Sequence, residues 1–321
     1  MTWRGALVVD GHMDTPLKLV DEGHDLADRL PGHADLPRMR EAGLDAVFLA
    51  AWVDPAFAPD RALARAEELL ASIRAAARKH PDLAGFATTA AEVRRIVEAG
   101  RVALLAGVEN GQALEGRVEN VARLYELGAR YLTLTWMNSN DLGDAGGGDR
   151  VHGGLTDLGR EVVLEMGRVG MLVDLSHAAP STFWDALEVA AGPVVVTHAG
   201  TEARGPHSRN VSDEQIRAVA ETGGLVGIAF MPKYLVPGDP AAADLSVVVD
   251  HIERIVEAAG VGCAALGSDF DGVPGPPRGL AGVEDMPGIP AELERRGWAH
   301  EEIGAILGGN WLRVMERALG G

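Results

Sequence analysis

Eight short runs rich in Val, Leu and Ala recur along this chain of 321 residues, separated by longer segments whose apolar residues return at helical spacing. The runs fall at 6–9, 46–51, 103–108, 131–135, 171–175, 194–197, 225–230 and 264–267, and the helical segments at 62–79, 91–99, 118–127, 156–169, 181–190, 212–222 and 245–259. Because the runs are continuously apolar rather than alternating, they read as strands covered on both faces, the situation of a parallel sheet wrapped by helices. Strand, helix and parallel strand repeated eight times closes most naturally into a (β/α)8 TIM barrel, with a doubly wound open sheet as the alternative. Local signals agree: Thr156 opens one helix and Gly170 follows its end, while Ser212 and Gln215 have the spacing of a capping box, with Gly223-Gly224 stopping that helix. No solenoid repeat and no low-complexity linker divides the chain, which predicts one domain over 1–321. Two Gly- and Pro-rich stretches, 141–154 and 274–290, read as long loops at the barrel mouth, and 299–319 as a helical segment covering the barrel or a partner subunit.

The balance of 29 Lys plus Arg against 47 Asp plus Glu, a formal charge of -18, argues against nucleic acid or an anionic membrane as partner. No run of eighteen apolar residues exists, and Met1-Thr2-Trp3-Arg4 leads straight into the first run without room for a signal peptide, so a cytoplasmic location is expected. The single cysteine, Cys263, lies in an apolar run and reads as a small buried hydrophobe.

In a barrel of this kind reactive groups sit where the strands end, so the residues after each run matter most. The first run leads into Asp10-Gly11-His12-Met13-Asp14. In extended backbone His12 and Asp14 share a face and can offer two ligands to one ion, although a lone His-x-Asp is more often a core strand entering a polar turn. The third run ends on Glu109, the fifth on Asp174-Leu175-Ser176-His177, the sixth on Thr197-His198 and the eighth on Ser268-Asp269-Phe270-Asp271. Singly, these have bland readings: His177 and His198 as hydrogen-bonded core histidines, Glu109 as a loop acid, Asp269 as a turn cap. Together at matching ends of five strands they converge on one mouth. Imidazole and carboxylate suit zinc and similar ions, and so many ligands exceed what one tetrahedral ion uses, which implies two ions, a carboxylate such as Glu109 between them, and hydroxide as nucleophile.

Six motifs in order, Asp-Gly-His-Met-Asp at 10–14, Gly-Val-Glu-Asn-Gly at 107–111, Tyr-Leu-Thr-Leu-Thr at 131–135, Asp-Leu-Ser-His at 174–177, Ser-Arg-Asn-Val at 208–211 and Gly-Ser-Asp-Phe-Asp-Gly at 267–272, span almost the whole chain. In these the sequence resembles the membrane (renal) dipeptidase family, peptidase family M19, a branch of the barrel-shaped metal-dependent hydrolases. The resemblance implies that His12 and Asp14 bind a first zinc ion, Glu109 bridges, and His177 and His198 bind a second. It further implies that Asp269, beside the metals, carries a proton from the bridging water to the leaving amine, and that Arg209 pairs with the free carboxylate of a short peptide, with a D-residue tolerated at that end. Asp271 reads as support for its loop. Homodimers are common in the family, so a homodimer is a possible assembly.

One position departs from the pattern. Mammalian members carry a histidine after Tyr-Leu-Thr-Leu-Thr, near the scissile carbonyl, where this chain has Trp136. Trp136 could give an apolar wall or an indole donor, and Asn138 or His152 a replacement polar contact, His152 being otherwise a solvated loop residue. The departure keeps open an N-acyl amino acid deacylase or another amide or lactone hydrolase on the same metals, and, from a different class, a non-catalytic ligand-binding barrel.

Overall fold

The computed structural model describes residues 3–319. They form nine strands: β1 (Val9–Met13), β2 (Ala46–Trp52), β3 (Ala84–Phe86), β4 (Val102–Glu109), β5 (Ala129–Thr133), β6 (Leu172–Asp174), β7 (Val194–Ala199), β8 (Leu225–Ile228) and β9 (Ala264–Leu266). All pair in parallel in the order β2-β1-β9-β8-β7-β6-β5-β4-β3, and β2 also pairs with β4. That last pairing closes an eight-stave barrel and rules out the open sheet. The short β3, absent from the sequence reading, lies beside the start of β4; three residues are too few to show a period.

Helices fill the connections close to where periodicity places them, among them Ala62–Lys79, Asp157–Val169 and Leu245–Ala259. Thr156 accepts a hydrogen bond from the Gly159 amide, Gly170 ends that helix in the left-handed region, and Ser212 and Gln215 make a reciprocal capping box. The stretch 274–290 is less irregular than expected, since a helix, Gly288–Arg295, begins inside it. At the far end the chain runs through His300–Gly304, a wide π turn over Ala305–Gly309, and the helix Asn310–Leu319. This helix sends Trp311 into the bottom of the barrel, where the indole N–H donates to Leu266 O at 3.0 Å and the ring meets Phe48. The segment therefore covers the barrel itself. No helix among the described residues is long and apolar enough to cross a membrane.

Which way each strand faces decides what reaches the mouth. In β4 alternation is unbroken: Ala103 and Leu105 join Phe48, Tyr131 and Trp311 in the cluster filling the barrel, while Leu104, Ala106 and Val108 pack under the helices. Glu109 follows in phase and faces inward. Strands β1 and β7 do not alternate throughout. Val9 belongs to the inner cluster and Met13 to the outer, and between them three steps of β1, Asp10 to Met13, oppose two of β2, Val47 to Leu49. Likewise three steps of β7, Val196 to Ala199, oppose two of β8, Val226 to Ile228. Each is a bulge, which re-aims the side chains after it. The first strand thus begins three residues later than the apolar run suggested and runs through His12 instead of ending before it. The polar Asp10 is tolerated inside it because its carboxylate accepts from the His12 and Ser268 amides.

Candidate metal centre

Glu109 is the middle of the site. Its Oε1 lies 2.9 Å from His177 Nε2 and 3.4 Å from His198 Nε2, and its Oε2 lies 3.5 Å from His12 Nε2. His12 Nε2 is also 3.7 Å from Asp14 Oδ2, and Asp269 joins His12 and Asp14 in a second cluster close enough for one ion. All six residues are buried. The five strand ends singled out in the sequence therefore meet, and bulges at His12 and His198 bring two of the imidazoles inward. His177 and Asp269 arrive differently, each just past its strand in the left-handed region at φ 66° and 62°. Such backbone is uncommon outside glycine and concentrates at functional sites. Gly272 makes room for the paired acids, because a Cβ there would run into Asp14 and Asp269.

The electrostatics call for cations. Burial pushes the Glu109 carboxyl upward, but the charge of the nearby His12, itself raised against burial by Glu109 and Asp14, and the close approach of His177 outweigh it and hold Glu109 well below the usual carboxylate range. Burial lowers His177 to about 4, helped by the Arg209 charge, and lowers His198 well below the usual range, helped by His12. Both rings are thus neutral, the form that binds metal. Burial, with the Asp14 charge beside it, raises Asp269 well above the ordinary carboxyl range. His12 Nε2, Asp14 Oδ1 and His177 Nδ1 are buried without a hydrogen-bond partner. Buried polar atoms of acids and imidazoles left without partners are costly alone and are what a divalent ion satisfies. The donor set fits metal.

Around it lies a cavity of about 420 Å³. One wall is apolar: Trp52, Trp136 and Met137 line it, with the two indoles edge to face at 5.0 Å and Trp136 6.3 Å from the His177 ring, while Met231 packs with Tyr234 on the other side. Tyr234, Lys233 and Pro274 form the opposite rim. Arg209 is buried behind Tyr234, its guanidinium 5.3 Å over that ring and its Nη2 donating to His198 O, while its Nε has no partner. Asn138 and His152 do not line this cavity, and His152 is exposed, with its backbone amide bound to Asp144. Asp271 props its loop, accepting from the Thr15 hydroxyl and the His33 amide. Trp52, Met231 and Tyr234 were missed in the sequence. Trp52 closes β2 opposite Glu109 and Met231 follows β8, so position alone could have found them, but indole and thioether carry no signal of chemistry.

A family model for membrane dipeptidases (peptidase family M19) matches residues 3–319. Dipeptidase aclJ of Aspergillus oryzae is 34% identical over 297 residues, covering 90% of this chain and 70% of that protein. Among solved structures, the family M19 metallopeptidase dipeptidase AC superposes with a TM-score of 0.91 at 27% identity, covering 98% of this chain and 99% of its own. A metallopeptidase from Rhodobacter sphaeroides, bound to a phosphinate mimic of the dipeptide L-Ala-D-Ala, does so with a TM-score of 0.89 at 27% identity and the same coverage.

Proposed function

From the premise that this chain belongs to the membrane dipeptidase family, peptidase family M19, and is a peptide-bond hydrolase, we propose that it is a binuclear zinc dipeptidase acting on short peptides with a free carboxyl end. The convergence of His12, Asp14, His177 and His198 on Glu109 supports this reading most strongly. His12 and Asp14 would hold one ion, His177 and His198 the other, with Glu109 shared between them. Bound there, the ions would supply an activated water and Lewis acidity toward the peptide carbonyl. The chain's own residues supply the rest. Asp269, its carboxyl raised by burial and by Asp14, is placed beside the centre to carry a proton to the departing amine. Arg209, buried against the Tyr234 ring at the edge of the cavity, is the cation the family pattern assigns to the substrate carboxylate. The apolar wall of Trp52 and Trp136 keeps water from the acyl side.

That same wall favours a second reading, an N-acyl amino acid deacylase, because an acyl chain would find apolar contacts where mammalian members present a histidine. Assaying purified protein on L,L and L,D dipeptides beside N-acyl amino acids separates the two. A chelator should abolish activity and added zinc restore it, with dipeptides turned over fastest. Activity indifferent to chelation would defeat the metal reading.

A further inference from the structure

A carboxylate outside the ligand set organises one side of the centre. Asp174, at the end of β6, is fully buried and collects five hydrogen bonds. Its Oδ1 accepts from the Ser176 amide at 3.0 Å, the Thr197 amide at 2.9 Å and the Ser176 hydroxyl at 2.9 Å, and its Oδ2 accepts from the hydroxyls of Thr133 at 2.6 Å and Thr197 at 2.7 Å. Thr197 Oγ1 lies also 2.9 Å from His198 Nδ1. A hydroxyl has one proton. If Thr197 gives its proton to Asp174, its oxygen can only accept from His198, so the ring proton sits on Nδ1 and Nε2 presents a bare lone pair toward Glu109 and His177. Ser176 completes the hold by accepting the His198 amide at 3.2 Å. The bulge in β7 makes this possible, since it turns adjacent residues 197 and 198 both inward.

We infer that Asp174 and Thr197 are positioning residues, a carboxylate–hydroxyl–imidazole relay that presets the tautomer and aim of His198. His177 has no such partner, its Nδ1 being buried and unpaired, so the relay makes His198 the ready ligand of the pair. Partners of this kind behind a ligating imidazole raise metal affinity by about 10- to 100-fold. The inference rests on the metal-centre reading for its consequence, but not for the tautomer.

The test uses the full chain, metal-free and labelled with 15N in its histidine rings. Two-bond proton–nitrogen correlations should show His198 as the Nδ1–H form. Thr197→Val should move it toward the Nε2–H form, Thr197→Ser should restore the original pattern, and Thr133→Val, which strips the same carboxylate oxygen without touching His198, should leave it unchanged. Titrating zinc against a chromophoric chelator, Thr197→Val should bind about 10- to 100-fold more weakly and Thr197→Ser as wild type does. A His198 signal already in the Nε2–H form, or equal shifts in the two Val variants, would overturn the relay. If Thr197→Val does not fold, Thr197→Ala serves in its place. A wild-type chain that binds no zinc would sink the metal reading while the tautomer shift still judged the relay.

Discussion

Strand β4 reaches the site by unbroken alternation, whereas β7 reaches it through a bulge. The result differs in kind. Regular alternation brings one side chain inside at a time, so Glu109 arrives with Val108 buried on the helical side and takes all its polar partners from other strands. The bulge brings Thr197 and His198 inward together, so β7 delivers His198 already attached to its own support. Strand β1 resembles β7, its bulge at Gly11 and His12 bringing the imidazole inside, where Nδ1 is 2.9 Å from the Tyr131 hydroxyl. A regular strand supplies Glu109, and two bulged strands supply His12 and His198, each held at Nδ1, whereas His177 comes from the turn after β6 with its Nδ1 unpaired.

The sharpest way to break this contrast is at its centre. Glu109→Gln keeps the shape of the side chain but removes the charge that His12, His177 and His198 surround, and should lower kcat/KM by roughly a thousandfold, about 4 kcal/mol of transition-state stabilisation. Circular dichroism should show the barrel intact. Activity within tenfold of wild type would mean that the three imidazoles do not depend on Glu109. Next comes Gly11 in the β1 bulge. A Cβ there would run into the indole of Trp311, which plugs the barrel bottom, so Gly11→Ala should cost about 1–3 kcal/mol by overpacking. Urea unfolding measures it, and Trp311→Phe in the same chain should recover part of the loss, a coupling that two independent sites would not show.

Legibility divided along the same line. The regular parts, the eight staves, the main helices and Glu109 at the end of β4, could be read from period alone, because alternation and 3.6-residue spacing are properties of local sequence. The bulges could not. From Val9 inward-facing, strict alternation would have pointed His12 at the helices, and only pairing with β2 shows the extra residue. His12 and His198 were found through motif and strand-end position, not through facing. Trp136 was legible as a departure from the family pattern, and the cavity shows what surrounds it. Asn138 and His152 are polar and near Trp136 in sequence, but Asp144 accepts the Val151, His152 and Gly153 amides and folds that loop so that the His152 side chain stays in solvent.

A smaller effect than at Glu109 is expected in the turn just beyond the β7 bulge. The strand continues into Gly200 and Thr201, and there His251, buried on the helix Leu245–Ala259, holds the turn: its Nδ1 accepts from the Thr201 amide at 3.0 Å and its Nε2 lies 3.1 Å from Leu235 O. Accepting at Nδ1 requires the neutral ring, and burial accordingly lowers His251 to about 4 from an ordinary 6.5. A histidine depressed in the folded state binds its proton more readily when unfolded, so its contribution is complete above about pH 6.5 and is lost as the pH falls from there toward 4. Asp10 and Asp45, raised by burial to about 6, act in the opposite sense over the same interval, so wild type alone would blur the effect. His251→Gln keeps an acceptor and a donor but does not titrate. Comparing urea unfolding of metal-free wild type and variant at pH 7 and pH 4.5, the difference should move by roughly 2 kcal/mol in favour of the variant at the lower pH. Parallel losses would show that β7 and the turn after it need no neutral imidazole to keep their shape. A converging difference would mean that the bulged strand, unlike β4, depends on a clamp that acid can open.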